Sequence, residues 1–377
     1  MSTAMESITC RTIDEGFVLQ LPADGSSGSI ASGPRVVALP SGELICSCVR
    51  SSALGTNDFC PVMLRSHDLG STWVEQGPAW PHLMGRSSLF TAISREAEER
   101  LLMFGLRFPI DELGESFWSN ELGGMKPNDL VWAMSRDQGR SWSEPRGIAI
   151  PVPGAAEGSI DLCVTQTNRW IGPYAIENCW QRAAEVDCAQ TMVTFSDDRG
   201  QTWTHRRMLS FPPGQSKSAE PSMVELSDGR LLGVAWHIGL NGKPEHPIAY
   251  AVSSDGGDTW EPTRSTGVVG QATGLSAWSD ARAVLVYNRR IHSRPGIGLA
   301  IVRPTDDGMD VELDEMVWFA ENATMTNASG HASSWQDFAY GEPSVTVLPD
   351  NSLYLTFWCI QPQGSGIRWV RLELPAI

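Results

Sequence analysis

Several side chains able to do acid-base or anion-binding chemistry stand at similar places in this chain. Arg35 lies in Pro34-Arg35-Val36-Val37-Ala38-Leu39, Glu220 in Ala219-Glu220-Pro221-Ser222 and Glu342 in Gly341-Glu342-Pro343-Ser344. A carboxyl group shielded from water titrates high and can protonate a leaving oxygen, and a guanidinium presents two parallel N–H donors to a carboxylate. Asp58, in Thr56-Asn57-Asp58-Phe59, and Tyr340 add an acid and a phenol, and Arg289 and Arg290 are adjacent in Val286-Tyr287-Asn288-Arg289-Arg290. The imidazoles His237, His246, His292 and His331 could move protons, bind a metal or recognise hydroxyls, and Trp118, Trp180, Trp236 and Trp335 could offer flat apolar platforms to a ligand. Such scattered residues make one site only if the fold gathers them.

The elements that would do so are announced by four copies of Ser-x-Asp-x-Gly-x-(Ser/Thr)-Trp, at Ser66–Trp73, Ser135–Trp142, Ser196–Trp203 and Ser253–Trp260. Their tryptophans are 69, 61 and 57 residues apart, a period that accommodates one small sheet with its loops. The Asp can accept backbone N–H bonds in a tight turn, the hydroxyls can join it, the Gly supplies positive φ, and the Trp starts the next strand as an inter-sheet plug. These aspartates are expected to be hairpin clamps, outside any catalytic set.

A second pattern, Pro-x-apolar-x-x-Leu followed by a turn and an apolar run, begins at Gly33, Ala219 and Gly341, and weaker versions begin at Arg86, Ser159 and Ala272. Alternation, turn and renewed alternation spell a β-hairpin, so six inner hairpins are predicted. Thr305-Asp306-Asp307-Gly308 reads as a decayed fifth copy of the octapeptide, and the last strand, Ile367–Leu374, is expected to close a ring beside the N-terminus. Residues 108–129 and 320–340 read as long insertions over one face.

Composition narrows the partners. The 377 residues carry a net charge of −16 and a sequence pI near 4.8, which disfavours nucleic acid and anionic membranes and requires a local arginine cluster for any acidic ligand. The first residues lack a basic segment followed by an apolar run, and no stretch reaches 18 uninterrupted apolar residues, so a cytoplasmic protein is expected. Eight Cys without metal-site spacing are expected to be reduced, and neither metal nor cofactor is implied.

The octapeptide is the Asp box, and the chain resembles the sialidase superfamily of BNR-repeat proteins across roughly residues 30–375. The resemblance implies an all-β fold: one six-bladed β-propeller domain of four-stranded antiparallel blades spanning 1–377, with Asp boxes opposite the active site. The starts of the inner strands would then converge on one mouth, gathering Arg35, Glu220 and Glu342. It further implies that Arg35 binds a substrate carboxylate, aided by Arg289 or Arg290. Asp58 would act as acid/base, and Glu220 would activate a nucleophile at Tyr340 or Glu342. Trp236, His237 and His331 would contact substrate. The chain departs from sialidases where Ala235-Trp236-His237 replaces an expected arginine and where Glu342 takes the aligned tyrosine position.

The leading expectation is an exo-acting glycoside hydrolase whose partner is a small acidic carbohydrate. The alternatives are a uronic-acid lyase using His237 or Tyr340 for proton transfer, and a non-catalytic sugar-binding propeller. Oligomeric state stays open.

Overall fold

The six predicted hairpins become the inner halves of six antiparallel sheets in the computed structural model, which describes residues 9–22, 29–158, 161–180, 186–240, 246–290, 294–321 and 339–374. Blade 1 runs from Ile30–Ala38 through Leu44–Ser51 and Cys60–Ser66 to Val74–Pro78, each strand beside the last. Blades 4 and 5 repeat that order from Ser216–Glu225 and Gln271–Ala277. Blade 2 starts at Ser87–Arg95, and its third strand, Asp129–Ser135, follows an insertion carrying a two-stranded ribbon, Trp118–Ser119 with Gly124–Met125. The inner strand of blade 3 is broken into Ala155–Glu157 and Cys163–Val164, both paired with Trp170–Glu177. The architecture is an all-β, six-bladed propeller.

Ring closure occurs where expected. In blade 6, Tyr340–Val347, Leu353–Gln361 and Gly364–Glu373 are completed by the N-terminal strand Arg11–Leu21. Splicing both ends of the chain into one sheet covers an edge that would otherwise expose a row of unpaired backbone groups.

Each octapeptide closes the turn between the third and fourth strands of its blade. In the first copy the Thr72 N–H and hydroxyl donate to the two oxygens of Asp68 (2.9 and 2.6 Å), while the Gly70 N–H donates to Ser66 Oγ (2.8 Å). The other copies repeat these bonds at Asp137, Asp198 and Asp255. Gly200, in the third copy, has φ +81°, and a Cβ there would lie 2.4 Å from the Trp132 ring, so only glycine fits. The box tryptophans wedge between blades as predicted: Trp73 Nε1–H donates to the Tyr354 hydroxyl of blade 6, and Trp203 stacks on Phe104 of blade 2. The 305–308 segment closes the same connection in blade 5 through backbone bonds between Thr305 and Gly308. All eight cysteines are free thiols. Among the described residues no helix is long and apolar enough to cross a membrane.

Candidate active site

The inner strands of blades 1, 4, 5 and 6 slip register at the same level, between Ser32 and Arg35, Ala219 and Ser222, Gln271 and Thr273, and Gly341 and Ser344. At each slip one residue takes a left-handed conformation: Gly33 (φ +57°), Glu220 (+47°), Ala272 (+45°) and Glu342 (+49°). A bulge leaves one residue unpaired and re-aims its side chain, and Pro34, Pro221 and Pro343 fit there because a bulged strand forgoes a ladder hydrogen bond anyway. Left-handed backbone costs a glutamate about 1–2 kcal/mol. That strain at Glu220 and Glu342 is concentrated where both side chains line the larger cavity.

This cavity is about 200 Å³ and opens at the strand-start end of the channel. Its acids are Glu157 and Glu177 from blade 3, Glu220 from blade 4 and Glu342 from blade 6, facing Lys217 and Arg290. The Glu220 N–H donates to Glu157 Oε2 (3.0 Å), and the Gly33 N–H donates to Glu342 Oε2 (2.7 Å). Lys217 forms an ion pair with Glu177, and its ammonium sits 5.9 Å from the centre of the Trp118 ring. Glu220 Oε2 is buried without a hydrogen-bond partner.

Crowded, desolvated carboxyl groups hold their protons. Burial, then the neighbouring Glu220 carboxylate, pushes Glu157 up to about 8. Glu220 rises to about 7 through burial and the Glu342 charge, against the pull of Arg290 and Arg35. Glu342 is also raised by burial, with the Gly33 N–H, Arg35 and Arg290 opposing. Burial alone would depress Lys217, but the Glu177 carboxylate overrides it and holds the ammonium charged. Near neutral pH the site therefore contains both protonated and ionised carboxyl groups within one cluster.

A second cavity of about 180 Å³ lies along the inner strands and is lined by Arg35, Asp161, Ser222 and Ser344 among others. Arg35 Nε is 3.8 Å from Asp161 Oδ2, and its Nη1–H donates to the Pro34 carbonyl (2.8 Å). Arg35 is felt by Glu220 and Glu342, so the expected neighbourhood exists, but the guanidinium lines this second cavity and not the larger one.

Residues 117–355 match the BNR repeat-like domain. The chain belongs to that family. Comparison with curated proteins finds no sequence match. Among solved structures, a Dyadobacter fermentans protein of unknown function is similar over 97% of this chain and 99% of its own, with TM-score 0.72 and 18% identity. The NanB sialidase of Streptococcus pneumoniae gives TM-score 0.64 at 15% identity over 95% of this chain and 70% of the sialidase. The Penicillium chrysogenum α-L-arabinanase, solved with arabinobiose, gives 0.58 at 16% over 97% and 98%. At these identities the likeness establishes the shared propeller fold.

Within this BNR repeat-like propeller the candidates separate sharply. Glu220, Glu342, Arg290 and Trp236 line the larger cavity. Arg290 is thereby distinguished from Arg289, which does not line it; the Arg290 side chain also donates to the Tyr340 carbonyl (3.0 Å). Asp58 is turned aside: its carboxylate accepts the Ser52 N–H (3.1 and 3.2 Å), while its neighbour Phe59 takes the cavity-facing position. Tyr340 is 1% exposed and packs on Trp318 between blades 5 and 6, its hydroxyl donating to the Arg289 carbonyl (2.6 Å). Burial raises that phenol to about 12, far from a nucleophile's needs. His237 does not line the cavity beside Trp236; it stacks on His246 (4.2 Å) and meets the Phe211 ring at a tilt (4.6 Å). His331, His292 and Trp335 lie outside the described residues, and Trp180 does not line the cavity.

Sequence reasoning missed Glu157, Glu177 and Lys217. A signal for Glu157 was present: Glu157-Gly158-Ser159, Glu220-Pro221-Ser222 and Glu342-Pro343-Ser344 share one Glu-x-Ser spacing at the starts of three blades.

Proposed function

We propose that the protein is a glycoside hydrolase acting on a small neutral sugar substrate, with Glu157 and Glu220 as its acid-base pair. The observation carrying this reading is the meeting of these glutamates from adjacent blades, the Glu220 N–H donating to Glu157 Oε2, at the wall of a ligand-sized cavity where burial above all raises both acids into the neutral range. One member, protonated, gives its proton to the glycosidic oxygen, and the other, ionised, activates water or attacks the anomeric carbon. In this reading Glu342 accepts hydrogen bonds from the sugar hydroxyls and Arg290 donates to them, both lining the cavity.

A neutral sugar is preferred to an acidic one because four glutamates already outnumber two cations around the cavity. The guanidinium expected to hold a carboxylate, Arg35, is paired with Asp161 in the second cavity. A lyase would need a proton-moving His237 or Tyr340 at the substrate, and neither lines the larger cavity.

The test is turnover of 4-nitrophenyl glycosides of neutral sugars and of glucuronic and sialic acids by the wild type and by Glu157→Gln and Glu220→Gln. Neutral substrates should be hydrolysed, and each variant should lose about 10²–10⁴-fold in kcat. No turnover of any member, with sugar binding unchanged by Glu220→Gln, would leave a sugar-binding propeller in its place.

A further inference from the structure

The larger cavity is divided by chemistry as well as by topology. Its charged side chains all come from blades 3 to 6, where they stand beside Trp236 and Trp358, whereas blades 1 and 2 with the insertion supply no charge, contributing Leu54 and the rings of Phe59, Phe90, Phe108, Phe117 and Trp118. Four of these form one interlocked group of rings, with Phe59 at 5.3, 6.3 and 5.2 Å from Phe90, Phe108 and Phe117 and Phe108 at 5.6 Å from Phe117.

The insertion that brings Phe117 and Trp118 is tied down. Asn57 Nδ2–H donates to both the Pro109 carbonyl and Glu115 Oε1 (2.8 Å each), Lys126 pairs with Asp111 (2.8 Å) and Glu115, and Thr56 bridges to Ser116. The apolar wall is thus prebuilt, which lowers the ordering cost of binding against it.

From this segregation we infer that the substrate is an amphipathic glycoside, whose sugar ring meets the glutamates while an aryl leaving group occupies the phenylalanine wall. The inference rests on the hydrolase reading of the same site and specifies its substrate class. A saccharide leaving group carries hydroxyls around its ring, and against this wall they would lose water without gaining partners. An aryl group instead exchanges water for edge and face contacts with Phe59, Phe90 and Phe117. The reaction adds water across the glycosidic C–O bond: the anomeric carbon gains the hydroxyl, and the departing phenolic oxygen takes the proton supplied by the acid of the pair.

Two measurements test this. First, kcat/KM is compared for phenyl glycosides and disaccharides of the same neutral sugars, glucose, galactose, rhamnose and arabinose. The phenyl member should win by at least about ten-fold, the scale on which apolar pockets discriminate. Phe117→Ala should reduce that preference by raising KM with kcat kept, and Phe117→Leu should restore most of it. Second, calorimetry measures binding of phenyl and methyl 1-thioglycosides of those sugars, which are not turned over. Tighter phenyl binding, weakened by Phe117→Ala and by Leu54→Asn in protein with unchanged circular dichroism, supports the inference even if the hydrolase reading fails. Equal or weaker binding of the phenyl member, no binding of either, or disaccharides hydrolysed as well as phenyl glycosides would overturn it while leaving the roles of Glu157 and Glu220 to the turnover assay.

Discussion

The two ends of the propeller use the same functional group to opposite purposes. At the octapeptide end, each aspartate is met by a backbone N–H and hydroxyl donors, and hydrogen bonds from Thr202 and Thr259 hold Asp198 and Asp255 down at about 2. At the cavity end, glutamates meet one another under burial, and Glu157 and Glu220 rise instead. Cys60–Ser66 of blade 1 spans the distance, starting beside the cavity residue Phe59 and ending at the first box, roughly 23 Å away for seven extended residues. Exposed acids supplied with several donors stabilise a turn; buried acids such as Glu157, with a single backbone donor, and Glu220, whose Oε2 has none, hold their protons and can exchange them.

The largest effect that could break this contrast is on turnover. Glu157→Gln or Glu220→Gln should lower kcat by about 10²–10⁴-fold with circular dichroism unchanged, while Asp137→Asn at the other end should leave kcat within about two-fold. Comparable losses from all three would mean that the two ends are not functionally distinct.

Next in size is a stability effect confined to the clamp end. Gly200→Ala forces a Cβ onto positive φ and against Trp132 at 2.4 Å. The strained backbone and overpacked ring together should cost about 2–4 kcal/mol, read from urea unfolding. The specific activity of the folded protein should not change, because the site is at the far end.

A smaller and more diagnostic effect is the sign of pH dependence. Glu157 and Glu220 bind protons more tightly when folded than their ordinary value of 4.5 allows, so their contribution to stability falls as pH rises from about 4.5 to about 8. The boxes act oppositely: Asp198 and Asp255 stabilise above their ordinary value of 3.8, and that contribution is lost as pH falls toward 2. Glu157→Gln should therefore raise the melting temperature at pH 8 by a few degrees and have little effect near pH 4, whereas Asp255→Asn should lower it at pH 7 and have little effect near pH 2. A lower melting temperature for Glu157→Gln at pH 8 would contradict the raised acid.

The contrast also explains what the sequence disclosed. The octapeptide completes its hydrogen bonds within eight residues, so its fold meaning is local, and four copies plus the alternating hairpins, with the family resemblance they carry, anticipated blades and ring closure. Site residues depend on which way a bulged strand points, and sliding one residue turns a side chain to the other face. That slip places Glu342 at the cavity and Tyr340 in the blade interface, a choice the pattern Tyr-Gly-Glu-Pro leaves open. Glu157 was hidden for a related reason: the break between Ala155–Glu157 and Cys163–Val164 removes the alternating run that marked the other inner strands. Lys217 gave no signal, since its ion-pair partner Glu177 lies forty residues away.

The smallest expected effects test those corrections. Asp58→Ala removes the acceptor for the Ser52 N–H at a partly exposed turn, and Tyr340→Phe removes one donor to the Arg289 carbonyl while keeping the ring against Trp318. Each should cost about 1 kcal/mol of stability and change kcat by less than about two-fold. Tyr340→Phe is the more demanding case, because its ring also lies 5.9 Å from the Arg290 guanidinium and its carbonyl accepts from the same group. Losing only the hydroxyl leaves both contacts intact, so Arg290 should stay at the cavity and KM should be unchanged. If kcat instead fell by more than about 10²-fold while KM held, the phenol would be acting on substrate despite its burial, and the boundary between the interior of the blades and the reacting cavity would have to be redrawn on the blade 6 side.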